Sequence, residues 1–198
     1  MKTHPFCLIQ TSRYLILIGA LSTLLSACAS KNYPVLKTAD YVDPEKFAGK
    51  WYVIANIPYF AEKNKVGSYT IYRKREKEGV YDDIFVSRKE NFSNPEQQLK
   101  GRVVIQNESN TQWKSTFYWF ISFTFDVLHI ENDHQENYQI ALLGHPSREY
   151  GWVMARSNTI SEEKYQNAMA VFKDRGYNTS QFLKVPQLAE HIGQAGFQ

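Results

Sequence analysis

The 198-residue chain has only two cysteines, Cys7 and Cys28, and both lie in its first 28 residues. No disulfide can therefore tie its body together, even in an oxidising compartment, and stability has to come from packing. No apolar run reaches the roughly 20 residues that a membrane-spanning helix needs. The longest, Tyr14 to Leu25, is about a dozen residues, the length of a signal h-region. Neither sign of charge dominates: the formal net charge is +3 and no polybasic arm occurs, so the electrostatic footprint of a nucleic-acid binder is missing. The nucleophile elbow G-x-S-x-G is absent, and so is the zinc motif H-E-x-x-H. Aromatic residues are plentiful, at 15% with 13 Tyr, 12 Phe and 4 Trp, which suits sheets with large buried side chains.

Lys2 and Arg13 form a basic leader around the start of the apolar run, which ends in Leu25-Ser26-Ala27-Cys28. A large aliphatic residue, two small ones and a cysteine resemble the lipoprotein box of bacteria. That resemblance implies a signal peptide over 1–27, acylation of Cys28 and a lipidated tether over 28–42, which shows no periodicity. An ordinary secretory signal cleaved nearby is the alternative. Ala29 stands where bacterial lipoprotein sorting reads an aspartate as an inner-membrane retention mark. The resemblance thus implies anchoring at the outer membrane, with the domain facing the periplasm. Removing 1–27 takes away two basic residues and no acid, so the mature charge falls by two. What remains suits a single domain.

Asp43-Pro44-Glu45-Lys46-Phe47-Ala48-Gly49 predicts one helical turn, with Asp43 as cap, Pro44 at the first position and Gly49 as the stop. Eight strand-like segments follow, over approximately 50–57, 67–75, 80–89, 97–107, 112–121, 125–132, 138–144 and 151–156. Only short turns join them, which excludes a parallel sheet and favours an antiparallel meander. Alternation is clearest in Trp113, Ser115, Phe117, Trp119, Ile121, Phe123 and Phe125, one nearly all-aromatic face. Ser161 then caps a helix over about 161–175, whose stripe Tyr165, Ala168, Met169 and Phe172 has helical spacing; Arg175 and Gly176 end it. The segment 181–185 reads as a last edge piece, and 188–198 as a loose tail. The fold class expected is all-β with one helix: an eight-stranded antiparallel up-and-down β-barrel with the C-terminal helix packed outside. A barrel of this size either fills with side chains or holds one small ligand.

Gly49-Lys50-Trp51-Tyr52, opening the first strand, resembles the G-x-W signature of lipocalins. Tyr150-Gly151-Trp152-Val153-Met154-Ala155-Arg156 resembles the family's last-strand motif ending in arginine. The bacterial outer-membrane branch (the Blc type) shares the lipoprotein signal and a closing phrase like Phe182-Leu183-Lys184-Val185-Pro186-Gln187. The resemblance covers 43–187 and implies a structural role for Gly49, Trp51 and Arg156: the guanidinium lies on the indole and bonds carbonyls of the 43–49 turn, plugging one end of the barrel. Arg156 as an anion receptor is the functional alternative.

The period of two then sends Trp152, Met154, Val53 and Ala55 inward, with Phe117 and Trp119 from the aromatic face. These six are the ligand-binding candidates; barrel core is the other reading of each. The resemblance implies a fatty acid or lysophospholipid as partner, membrane attachment through the lipid anchor, no cofactor and no catalysis. The prostaglandin-isomerising lipocalin uses a cysteine inside the barrel, and this body has none. A homodimer is an expectation carried by the resemblance alone. A structural or interaction lipoprotein with a filled barrel remains the non-enzymatic rival. Glu131, Asp133, His134 and Glu136 cluster between two strands, where a solvated hairpin tip is preferred to a hard-cation site; no metal is expected. Asp82 and Asp83 are taken as outward-facing.

Overall fold

Why the chain closes on itself follows from its register. The computed structural model describes residues 33–198; the leader, Cys28 and the first part of the tether lie outside the described residues. Asp43 caps a single turn, α1 (Pro44–Phe47), its Oδ1 accepting from the amides of Glu45 at 2.9 Å and Lys46 at 3.2 Å. Eight strands follow: β1 (Gly49–Asn56), β2 (Lys65–Lys74), β3 (Val80–Lys89), β4 (Gln97–Ile105), β5 (Gln112–Phe117), β6 (Ile121–Asn132), β7 (Tyr138–Gly144) and β8 (Gly151–Ala155). Each pairs antiparallel with the next, and β8 returns to β1, so the sheet is a closed eight-stranded barrel. A helix, α2 (Glu162–Asp174), and a two-residue strand, β9 (Leu183–Lys184), complete the unit Tyr33–Gln198.

Alternation divides the apolar side chains into two cores. Trp51, Val53, Tyr72, Val103, Trp113, Phe125 and Met154 point into the barrel. Ile54, Leu128, Leu142 and Val153 point outward and are covered by Ala168, Met169 and Phe172 of α2. The Ser161 hydroxyl caps that helix by accepting from the Lys164 amide at 3.3 Å. A helix with one apolar stripe can bury it only against the barrel wall.

Five expectations need correction. The aromatic strand does not run to Ile121. It stops at Phe117, and a tight turn at Tyr118, Trp119 and Phe120 reverses the chain into β6. Trp119 is consequently 91% exposed and lies outside the barrel. A bulge in β1 between Val53 and Ala55 adds one residue against β8, which reverses the parity beyond it; Ala55 joins the outer core under α2. Asp83 points inward, in register with the buried Tyr81, while Asp82 faces out. The last part of the tether is bound along the wall, with Leu36 and Val42 buried and the Ala39 amide donating to the Val127 carbonyl at 2.9 Å. Nor is 188–198 loose. Its end returns to β9, the Gln198 amide donating to the Lys184 carbonyl at 2.9 Å and the Gln198 side chain reaching Asn56.

Candidate functional site

One end of the barrel is sealed. The Arg156 guanidinium lies 3.8 Å from the Trp51 ring centroid and donates to the carbonyls of Lys50 at 2.7 Å, Lys46 at 2.7 Å and Ala48 at 2.9 Å. The Trp51 indole donates to the Phe47 carbonyl at 2.7 Å. Burial pulls Arg156 down to about 10, so it stays charged at neutral pH. Its donors are spent on backbone carbonyls, which leaves little for a ligand anion. Gly49 has φ +97°, and a Cβ there would meet the Arg156 guanidinium at 3.4 Å; glycine is what the turn and the stack together require. Above this seal Phe47, Trp51, Tyr72, Tyr81, Trp113 and Phe125 pack ring against ring, with centroids 4.9 to 6.2 Å apart. The lower half of the barrel is solid.

The upper half holds two connected spaces. The inner one is a chamber of about 50 Å³, lined among others by Val53, Met154, Phe123 and Phe125. The outer one is a mouth of about 390 Å³ formed by Phe60, Leu99, Tyr118, Ile121, His145 and Tyr150. Tyr59, Phe117, Phe123 and Trp152 line both and form the constriction between them. Phe123 stacks on Trp152 at 6.1 Å and on Phe117 at 6.1 Å. Of the six ligand candidates, Trp152, Met154, Val53 and Phe117 meet here, whereas Ala55 and Trp119 do not. Gly101, opposite Phe117, makes room for that ring, since a Cβ at Gly101 would lie 2.6 Å from it.

Two carboxylates line the chamber: Glu62, which nothing in the sequence singles out, and Asp83, which the sequence places facing outward. Glu62 is buried; its Oε2 accepts from the Asn56 amide at 2.7 Å and its Oε1 from the Trp152 indole at 2.9 Å. Burial outweighs these bonds and pushes its carboxyl up to about 7. Asp83 accepts from Thr70 Oγ1 at 2.8 Å and from the Ser115 hydroxyl, and burial raises it as well. The half-buried phenol of Tyr59 is driven upward, first by desolvation and then by these two acids. Neither carboxylate has a basic partner among the described residues. Glu62 lies in the β1–β2 loop, where no periodicity signals a direction. Asp83 could have been found by parity from Tyr81. The acidic cluster at 131–136 is a hairpin tip: Asp133 Oδ1 accepts from the amides of Gln135 and Asn137 at 2.9 Å each.

Comparisons with known proteins agree with this architecture. A family model described as a lipocalin-like domain matches residues 42–187. The outer membrane lipoprotein Blc of Escherichia coli K12 is 27% identical over 183 residues, covering 88% of this chain and 98% of the relative. Temperature-induced lipocalin-1 of Arabidopsis thaliana is 26% identical over 151 residues, covering 72% and 78%. Among solved structures, insecticyanin from the tobacco hornworm Manduca sexta matches with a TM-score of 0.61 at 18% identity, covering 82% of this chain and 89% of that one, a likeness of fold.

Proposed function

We propose that this protein, which belongs to the lipocalin-like family, is a lipid-anchored binding protein that takes the acyl chain of a fatty acid or lysophospholipid into the mouth of its barrel. The observation that carries the reading is the apolar mouth of about 390 Å³ leading down to Trp152 and Phe117, a size within the roughly 300–1,000 Å³ of small-molecule sites. Each methylene withdrawn from water contributes about 0.8 kcal/mol, so a dozen give on the order of 10 kcal/mol before binding costs, which is consistent with micromolar affinity. The chamber below admits only a few atoms and carries two uncompensated acids, so an anionic head group belongs at the rim and the tail lies against the constriction. No catalytic step is needed.

Anchoring through Cys28 is part of the proposal. Relatives named outer membrane lipoproteins support it, and among the described residues no helix is long and apolar enough to cross a membrane. Multiple acylation holds a domain firmly where one chain does so only marginally. Fractionation of cells should find the protein with the outer membrane; recovery with the inner membrane overturns that part. The rival reading, a structural lipoprotein with a filled barrel, draws on the aromatic packing of the lower half.

Titration separates the two. Soluble protein lacking residues 1–28, followed by native mass spectrometry and Trp fluorescence, should bind lysophospholipid or fatty acid saturably and one to one, and a bile-pigment control should not compete. Trp152→Ala should weaken binding by about tenfold or more. Absence of binding by either lipid overturns the reading in favour of the filled barrel.

A further inference from the structure

The described residues expose ten large hydrophobic side chains, and six of them sit together at the open end: Phe60, Tyr118, Trp119, Phe120, Ile121 and Tyr150. Phe60 is 85% exposed and Trp119 91% exposed, and neither Trp119 nor Phe120 lines the mouth cavity. Trp119 and Phe120 project from the β5–β6 turn, their rings edge to face at 5.1 Å. Clustered exposed apolar surface marks a contact site.

The backbone of that turn supports the same conclusion. Tyr118 has φ 47° and Trp119 φ 58°, left-handed values that in tight hairpins belong to Asn and Gly. Two bulky aromatics held there are strained, and both are left largely exposed, Tyr118 at 61% and Trp119 at 91%. Strain of this kind points to a function for the displayed residues.

The path of the chain says what they face. Arg148, in the β7–β8 loop at the mouth, donates to the Pro34 carbonyl at 2.7 Å and lies 5.0 Å from the Tyr33 ring. From there residues 35–42 run down the wall to the sealed end, where the Val42 amide bonds Ser109. The chain therefore enters the domain beside the mouth. Four residues lie between Cys28 and Tyr33, and the five Cα steps span at most about 18 Å when fully extended. On the outer wall next to Trp119 and Tyr118, a groove carries Arg73, Lys100 and Arg102, which form no ion pair among the described residues. Aromatic rings beside cations are the composition of a membrane–water interface anchor.

We propose that the mouth of the barrel docks on a phospholipid bilayer surface, with Trp119 and Phe120 entering the interface and Lys100 and Arg102 facing anionic headgroups. The orientation rests on the anchoring proposed above; the docking surface itself is testable without it. An acyl chain could then pass between bilayer and mouth with little exposure to water.

The test is flotation of protein lacking residues 1–28 with phosphatidylcholine vesicles containing phosphatidylglycerol. The parent should float, and brominated lipid should quench its Trp emission while the Trp119→Ser variant escapes that quenching. Trp119→Ser with Phe120→Ser should bind vesicles at least about tenfold more weakly, while its lysophospholipid titration in lipid-free buffer stays that of the parent. Lys100→Gln with Arg102→Gln should lose about fivefold per charge, only on the anionic vesicles. A parent that stays unbound, or a Trp119/Phe120 variant that floats equally well, overturns the proposal. So does a variant that floats like the parent but changes from dimer to monomer in sedimentation velocity, which makes the crown a self-association face. Loss of the lysophospholipid titration in the parent instead overturns the binding reading and leaves the flotation result standing.

Discussion

At Glu62 a single side chain couples the chamber to pH. Its carboxyl is held at about 7, against 4.5 for the free group, chiefly by desolvation. Between those values the folded protein holds a proton that the unfolded chain has released. Stability therefore falls as pH rises across that window, by roughly 3 kcal/mol in all. Glu62→Gln cannot ionise and should flatten this dependence, leaving the variant more stable than the parent at about pH 8 and similar to it well below about pH 5. Urea midpoints at both pH values check it, and equal slopes for parent and variant contradict the assignment. A residual slope of the same sign belongs to Asp83, also raised by burial. Glu62 also accepts from the Trp152 indole, so its ionisation is coupled to the ring at the constriction. None of this was legible from the sequence, because a loop carboxylate carries no periodicity to say which way it points.

Among the elements, the β5–β6 hairpin shows where pattern reading stops. Trp113 to Phe125 alternates so regularly that one strand fits as well as two. The turn interrupts it without Gly, Asn or Pro, and the alternation resumes in phase, with Ser115 opposite Phe123 and Trp113 opposite Phe125. Replacing Tyr118 by Asn and Trp119 by Gly supplies the residues a left-handed turn favours. The barrel should gain about 1–2 kcal/mol, read as a higher urea midpoint at unchanged slope, while vesicle binding falls. β1 teaches the complementary lesson. Its alternation predicts Trp51 and Val53 inside, and both are lumenal, but one bulge residue moves Ala55 to the outer face. The helix was readable throughout, since Ser161, the stripe to Phe172 and Gly176 are local signals that packing merely uses.

For the whole molecule, closure depends on a segment remote in sequence from the strands it joins. β1 and β2 share only four register pairs, Gly49↔Tyr72 to Tyr52↔Tyr69. Beyond them the residues after α2 fill the seam: the Val185 amide donates to the Ile54 carbonyl at 2.8 Å, and the Gly67 amide to Pro186 at 2.7 Å. The Gln187 side-chain amide then bridges the Val53 carbonyl at 2.8 Å and the Ser68 carbonyl at 2.9 Å. Gln187→Ala would leave both buried carbonyls short of a donor, at a cost of about 2–3 kcal/mol. Hydrogen exchange at the Gly67 amide should speed up in that variant more than global unfolding accounts for; unchanged protection there would mean the seam is held by the backbone bonds alone.

Residues close in the chain, or a regular period, carried the class of fold, the strand count and the capping of both helices in the sequence alone, whereas the stacking of Arg156 on Trp51, far apart in the chain, was legible only through the resemblance of their motifs to a known family. Tertiary structure alone decided which carboxylates are buried, where parity reverses, how the mouth narrows at Trp152, Phe117 and Phe123, and that both ends of the described chain are bound to the wall. These depend on which surfaces meet after the sheet closes, and closure brings together side chains far apart in the chain, such as Glu62 and Trp152, 90 residues apart. A period of two encodes a face, not the side chains that will stand across from it.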